Sequence, residues 1–171
     1  GFICGIAVAT DNDLAYFPLR HSDTFIDFKR DEKIWSVLNE KIFQNENITK
    51  VFHNAMYDVC WIRAVTGMKM KGRIVDTMIA ASVIDENRFK YSLDALSKDY
   101  LNEEKYKYDL QQKTLEWSGG TVKDPMTNMH KLPASIVKEY AKQDVNLTYK
   151  LWKLFNKKID EVLYTKDDGE Q

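Results

Sequence analysis

The stretch Lys50-Val51-Phe52-His53-Asn54-Ala55-Met56-Tyr57-Asp58-Val59-Cys60-Trp61-Ile62 changes its apolar period part-way along. Lys50 to His53 reads as a short strand, whereas Met56, Val59, Trp61, Ile62 and Val65 suggest a helix that ends near Gly67. Strand passes straight into helix. Ile74-Val75 followed by Asp76-Thr77-Met78-Ile79-Ala80-Ala81-Ser82-Val83-Ile84 repeats the change, with Asp76 as the expected N-cap of the second helix. Two strand-to-helix passages in succession form a βαβ-like half and point to an α/β fold.

Upstream, the apolar run Gly1 to Thr10 meets the polar turn Asp11-Asn12-Asp13 and returns through Leu14 to Leu19, the pattern of a β-hairpin. Ile34, Trp35, Leu38, Ile42 and Phe43 then repeat at helical spacing and predict a helix over one sheet face. Downstream, Ser92 opens a helix marked by Leu93, Leu96 and Leu101. The stretch from Gly119 to Leu132, with Gly-Gly and Pro125, is expected to be a loop. From Pro133 onward one apolar stripe carries Ile136, Tyr140, Leu147 and Leu151, and its neighbour carries Val137, Ala141, Val145 and Trp152. The expected architecture is a mixed sheet flanked by helices, in one domain over residues 1–163. The polar tail 164–171 has the composition of a linker. Because Gly1 opens directly into a strand-like run, the chain is expected to begin within a fold.

At 171 residues, with 44% hydrophobic and 30% charged residues, the chain is long enough for one ordinary core. A net charge of −1 argues against broad wrapping of duplex DNA, which requires a basic face that releases many counterions. Cys4 and Cys60 lie far apart without metal-ligand spacing, so neither a disulfide framework nor a zinc site is indicated. No apolar run reaches membrane-spanning length.

Chemistry enters where carboxylates interrupt apolar stripes. Asp58 shares a helical stripe with Trp61, Ile62 and Val65, and Asn54 lies one turn earlier at the strand-to-helix junction. Both are expected to face the C-terminal edge of the sheet, where ligand sites of α/β folds gather. Tyr140 and Asp144 repeat the i, i+4 arrangement on the last helix. Simpler readings exist for each residue: Asn54 as a helix cap, Asp58 as a first-turn acid favoured by the helix dipole, Tyr140 as a half-buried core tyrosine, and Asp144 paired with Lys138 or Lys142. Two inward-turned acids on two helices of one sheet are harder to explain that way, since unpaired buried carboxylates are costly. Oxygen ligands of this kind suit Mg²⁺ or Mn²⁺, which usually also bind substrate phosphate. A phosphodiester substrate and a two-ion site follow as expectations, with the neutral Tyr140 hydroxyl orienting a water.

His53-Asn54-Ala55-Met56-Tyr57-Asp58 resembles the second motif of the DEDDy exonucleases of the ribonuclease H-like fold, and Tyr140-Ala141-Lys142-Gln143-Asp144 resembles their third. With Asp76-Thr77-Met78 and Ser92-Leu93-Asp94-Ala95-Leu96 between them, nearly the whole chain resembles the proofreading domain of bacterial DNA polymerase I. The wording around the second motif looks most like phage family A polymerases. The resemblance implies Asp58 and Asp144 as metal ligands, Tyr140 as the water-orienting residue and Asn54 as a contact to the terminal nucleotide or a support of the site. It also implies two Mg²⁺ or Mn²⁺ ions in the complete site, the 3′ end of single-stranded DNA as substrate, and a polymerase domain in the same protein. A cytoplasmic location follows, in the host if the protein is phage-encoded. The family's first motif, an Asp-x-Glu on the opening strand, has no match here, and Asp11-Asn12-Asp13 is explained by its turn. The first strand and two ligands are therefore expected to be missing, with weak or absent catalysis by this chain. The competing readings are a non-catalytic exonuclease-like scaffold and a ribonuclease D-like RNA nuclease.

Overall fold

The computed structural model describes residues 1–104, 112, 113, 115, 116 and 125–167, with backbone only for 125–127 and 162–167. Strands β1 (Gly5–Ala9) and β2 (Leu14–Pro18) pair antiparallel, Gly5 opposite Pro18 and Ala9 opposite Leu14. The turn between them is closed by Thr10, whose backbone N–H donates to Asp13 O at 2.8 Å and whose hydroxyl accepts from the Asp13 N–H at 3.0 Å. Helix α1 (Phe28–Leu38) is capped by the Asp27 carboxylate and continues as a π-helical turn, Asn39–Phe43. Leu38 and Phe43 pack with Ile62 against Ile6, Val8 and Phe17 of the hairpin, which is the predicted helix-on-sheet cover.

Strand β3 (Lys50–Phe52) leads into α2 (Ala55–Thr66), and β4 (Ile74–Asp76) leads into α3 (Thr77–Ile84). The two strands pair in parallel with Lys50 opposite Ile74 and Phe52 opposite Asp76, completing the βαβ unit read from the period change. Gly67 ends α2 at φ 71°, the left-handed position that glycine adopts without strain. At Gly72, with φ 75°, a Cβ would lie 2.7 Å from the Glu46 carbonyl oxygen, so this crossing of two backbones also requires glycine.

Ser92 caps α4 (Leu93–Leu96), which runs on as a π-helical turn, Ser97–Leu101. The last helix, α5 (Ala134–Asp167), packs on β1, β2 and β3 and on α3 and α4. Its Leu147, Leu151 and Phe155 are fully buried against Ala80, Ala81, Leu93 and Leu96, which makes α5 the spine of the larger core.

Three expectations are refined. The mixed sheet is divided into two two-stranded pieces, β1–β2 and β3–β4, with α5 lying against strands of both. Within the region expected to be a loop, Pro125–Lys131 forms a 3₁₀ helix, which tolerates proline in its first turn where the missing N–H has no partner to lose. Residues 119–124 of that region lie outside the described residues. The polar tail begins as backbone helix through Asp167, and 168–171 lie outside the described residues.

Candidate active site

The C-terminal ends of β3 and β4 place the starts of α2 and α3 side by side, and one carboxylate serves both. Asp76 Oδ1 accepts from the Met78 N–H at 2.8 Å, the N-cap bond of α3 expected from sequence. The same group accepts from the Asn54 N–H at 3.0 Å and, through Oδ2, from the Ala55 N–H at 2.8 Å. Asp76 therefore satisfies orphan donors at the start of two helices at once. Nothing local in the sequence signals the second role, because the donors lie more than twenty residues upstream. Beneath it, the buried Thr77 hydroxyl donates to Phe52 O at 3.1 Å and lies 2.9 Å from His53 Nδ1, tying the two strand ends together.

Asn54 occupies the N-cap position of α2 but does not cap it with its side chain. Its backbone is left-handed, φ 63° and ψ 56°, a conformation that asparagine tolerates better than most residues. The simple capping role is thus taken by Asp76. Asn54 is instead exposed, two residues past the end of β3.

Asp58 sits one turn into α2. The expectation that it interrupts a buried stripe is corrected: Ile62 is buried, whereas Asp58, Trp61 and Val65 are exposed, together with Met56 and Tyr57. Helix α2 is packed on β3 and β4 and joins the hairpin core through Ile62, and the Trp61 ring lies against Gly1, so the side with Met56 and Tyr57 is the most exposed. Although the residue is solvent-accessible, the protein crowded around its carboxyl pushes it up to about 6. A hydrogen bond from its own backbone N–H opposes this shift, and the Asp76 carboxylate adds to it.

Tyr140 and Asp144 are half-buried on α5, in the stripe that Leu147 and Leu151 continue into the core. Tyr140 packs in a small cluster with Tyr16, Met129, Leu132, Ile136 and Val137. The Asp144 carbonyl accepts from the Thr148 hydroxyl at 2.8 Å, and Lys138, one suggested partner for Asp144, lies 4.0 Å from Glu139. Helix α5 touches β3, the strand that ends at Phe52 two residues before Asn54, so the elements carrying the two motifs are close to one another. Among the described residues, however, no three His, Cys, Asp or Glu side chains are grouped so as to hold a metal ion. The loop cation Arg88 has a structural occupation. It pairs with Asp99 and lies 5.0 Å over the Tyr100 ring.

A strand-edge Asn and Asp on one helix, and a Tyr and Asp on a late helix crossing the same strand, call for comparison with known nucleases. Residues 2–160 match the family model described as 3′-5′ exonuclease, of the DNA polymerase A type. The chain belongs to this family. Over 140 residues, 80% of the chain and 22% of the relative, the exonuclease domain is 32% identical to the DNA polymerase DpoZ of Acinetobacter phage SH-Ab 15497. It is 29% identical over 151 residues, 86% of the chain, to the DNA polymerase DpoZ of Salmonella phage PMBT28, again covering 22% of the relative. It is also 28% identical over 127 residues, 74% of the chain, to the exosome complex exonuclease RRP6 of Saccharomyces cerevisiae, covering 15% of that protein. The chain thus spans about a fifth of the length of the phage polymerases it resembles. Exonucleases of this family normally use divalent metals. No helix among the described residues is long and apolar enough to cross a membrane.

Proposed function

We propose that this exonuclease domain, residues 1–163, removes nucleotides from the 3′ end of single-stranded DNA as the proofreading part of a phage-type DNA polymerase, with 164–171 leading toward the polymerase domain. The observation that carries the reading is the two-helix arrangement: Asn54 and Asp58 at the shared start of α2 and α3, and Tyr140 and Asp144 on the helix that packs against the same strand.

In this reading Asp58 and Asp144 bind Mg²⁺ or Mn²⁺, Tyr140 orients the attacking water, and Asn54 contacts the terminal nucleotide from its exposed edge. The donor chemistry suits a hard cation. The number of donors does not suit a complete site, because a two-ion centre needs several carboxylates and the described residues hold no group of three. Asp58 and Asp144 are accordingly proposed as two of the ligands, and hydrolysis by this chain alone is expected to be weak.

The test is a gel assay of 5′-labelled single-stranded DNA and RNA with Mn²⁺, with and without chelator, on this chain and on the intact protein. Stepwise shortening of DNA from the 3′ end by the intact protein, removed by chelator and by either Asp58→Asn or Asp144→Asn, is the expected result. Shortening that survives both substitutions would sink the site assignment. Preference for RNA would overturn the proofreading role, and an inactive intact protein would favour a scaffold.

A further inference from the structure

Away from the two motifs, a cleft of about 380 Å³ opens between the segment after β2 and the 3₁₀ helix before α5, lined by Phe2, Arg20, His21, Ser22, Thr24, Ile26, His130 and Lys131. Among the described residues its lining includes Arg20 and Lys131 and no carboxylate, and the nearby Asp23 accepts from the Ala134 N–H at 2.7 Å. We infer that this cleft is a subsite for single-stranded nucleic acid, holding a backbone phosphate on Arg20 and Lys131 and a base against Phe2, His130 and Ile26.

Arg20 is held in place before any ligand arrives. Its Nη1 donates to Leu19 O at 2.8 Å and pairs with Asp31, a buried carboxylate that also receives Arg30 Nη2 at 2.9 Å. Two guanidinium groups share the Asp31 carboxylate, and with Asp23 beside Ser22 counted against them Lys131 leaves the cleft positive by one charge. Nε and Nη2 of Arg20 have no hydrogen-bond partner among the described residues, so a planar fork suited to a phosphate remains available. The Ser22 and Thr24 side chains add hydroxyl groups to the same lining.

The aromatic part is equally ordered. The rings of Phe2 and His130 meet edge to face, with centroids 5.3 Å apart. Cationic groups beside aromatic surfaces are the combination that takes single strands irrespective of sequence. The position suits a strand leading to the candidate site: Tyr16 Oη lies 2.5 Å from His21 Nε2 in the cleft wall, and Tyr16 packs in the cluster that contains Tyr140. The cleft wall and Tyr140 thus share one small cluster around Leu132 and Val137. The inference rests on the exonuclease reading for its substrate, while its residues are separate from those proposed for hydrolysis.

The test is fluorescence anisotropy of a labelled oligo(dT) titrated with the whole chain in chelator, so that cleavage plays no part. Lys131→Ala should raise Kd on the order of fivefold and lower the salt slope of binding by about 0.7, the change for one lost phosphate contact on a single strand. His130→Ala should weaken binding with the salt slope unchanged. Arg20→Lys, which keeps the charge beside Asp31 but not the fork, should also weaken it. Lys157→Ala, on α5 some 35 Å from its start by the rise of a helix, is the control and should leave Kd unchanged.

Equal affinity across the cleft variants, the same loss with Lys157→Ala, or no binding of oligo(dT) by the unaltered chain would each overturn the subsite. Competition by dTMP as effective as by an unlabelled oligonucleotide of equal phosphate content would also overturn it, assigning the cleft to a free mononucleotide. If the subsite fails while 3′ shortening still depends on Asp58 and Asp144, the exonuclease reading stands without it. If that shortening fails as well, both fall.

Discussion

Helices α2 and α5 each carry an acid one turn after a polar partner, yet their surroundings are opposite. On α5 the stripe through Asp144 continues into Leu147 and Leu151, both 0% exposed. On α2 the stripe through Asp58 buries only Ile62 and otherwise runs through Trp61 and Val65, 37% and 42% exposed, beside Met56 at 74%. The packing explains the contrast. Helix α5 lies against strands of both sheets and against α3 and α4, whereas α2 is covered on one side only. Identical spacing thus leads to two means of positioning: Asp144 is placed by the core around its helix, and Asp58 by the hydrogen bonds with which Asp76 fixes the start of α2.

The largest expected effect bears directly on that contrast. Leu151→Ala and Phe155→Ala should each lower unfolding stability by roughly 3–5 kcal/mol in a denaturant titration, because they remove fully buried side chains from a packed core. Met56→Ala should cost about 1 kcal/mol or less, since that residue is 74% exposed. A Met56→Ala loss as large as the Leu151→Ala loss would show that the α2 face is buried in solution and would break the comparison.

Next comes the hydrogen-bonded junction. Asp76→Ala removes the acceptor of three backbone N–H groups and should cost roughly 2–3 kcal/mol, with faster amide exchange at Asn54, Ala55 and Met78 together. Faster exchange at Met78 alone would mean that Asp76 caps only α3. Asp58→Asn removes a carboxyl whose ionised form its surroundings and Asp76 disfavour, so stability at pH 7 should be unchanged or somewhat higher while 3′ shortening by the intact protein is lost.

The smallest effect is one of pH. His21 is held below its ordinary 6.5 by burial and, to a lesser degree, by His130, against the opposing pull of the Leu132 carbonyl and Asp23. The unfolded chain therefore binds this proton more readily than the native one. The contribution of neutral His21 to stability is present above pH 6.5 and is lost as pH falls through the lower native value. Stability measured from pH 7 downward should decline in that window, and His21→Gln should flatten the decline. An unchanged profile in the variant would assign the decline to other groups.

Much of the fold was legible because its signals are local. The change of period at His53 and Asn54, the Asp76 and Ser92 caps and the stop at Gly67 depend on residues within a few positions of one another, and each stands where it was read. The apolar stripe of the last helix was legible for the same reason, down to the buried Leu147 and Leu151. The stripe on α2 is buried at Ile62 but not at Trp61 or Val65. Periodicity shows which side chains share a face. It does not show whether another element covers that face.

The amino-acid sequence by itself determined the order of strands and helices, the placement of Asn54 at a strand-to-helix junction with Asp58 one turn into the helix, and the spacing of Tyr140 and Asp144 on one helix. All of these follow from torsional preference and spacing along the chain. Only the tertiary structure decided that Asp76 holds the starts of two helices, that the sheet is divided with α5 across both parts, and that Arg20, His130 and Lys131 meet around one cleft. Those relations join groups 20 to more than 100 positions apart, and no local preference of the backbone encodes such a distance.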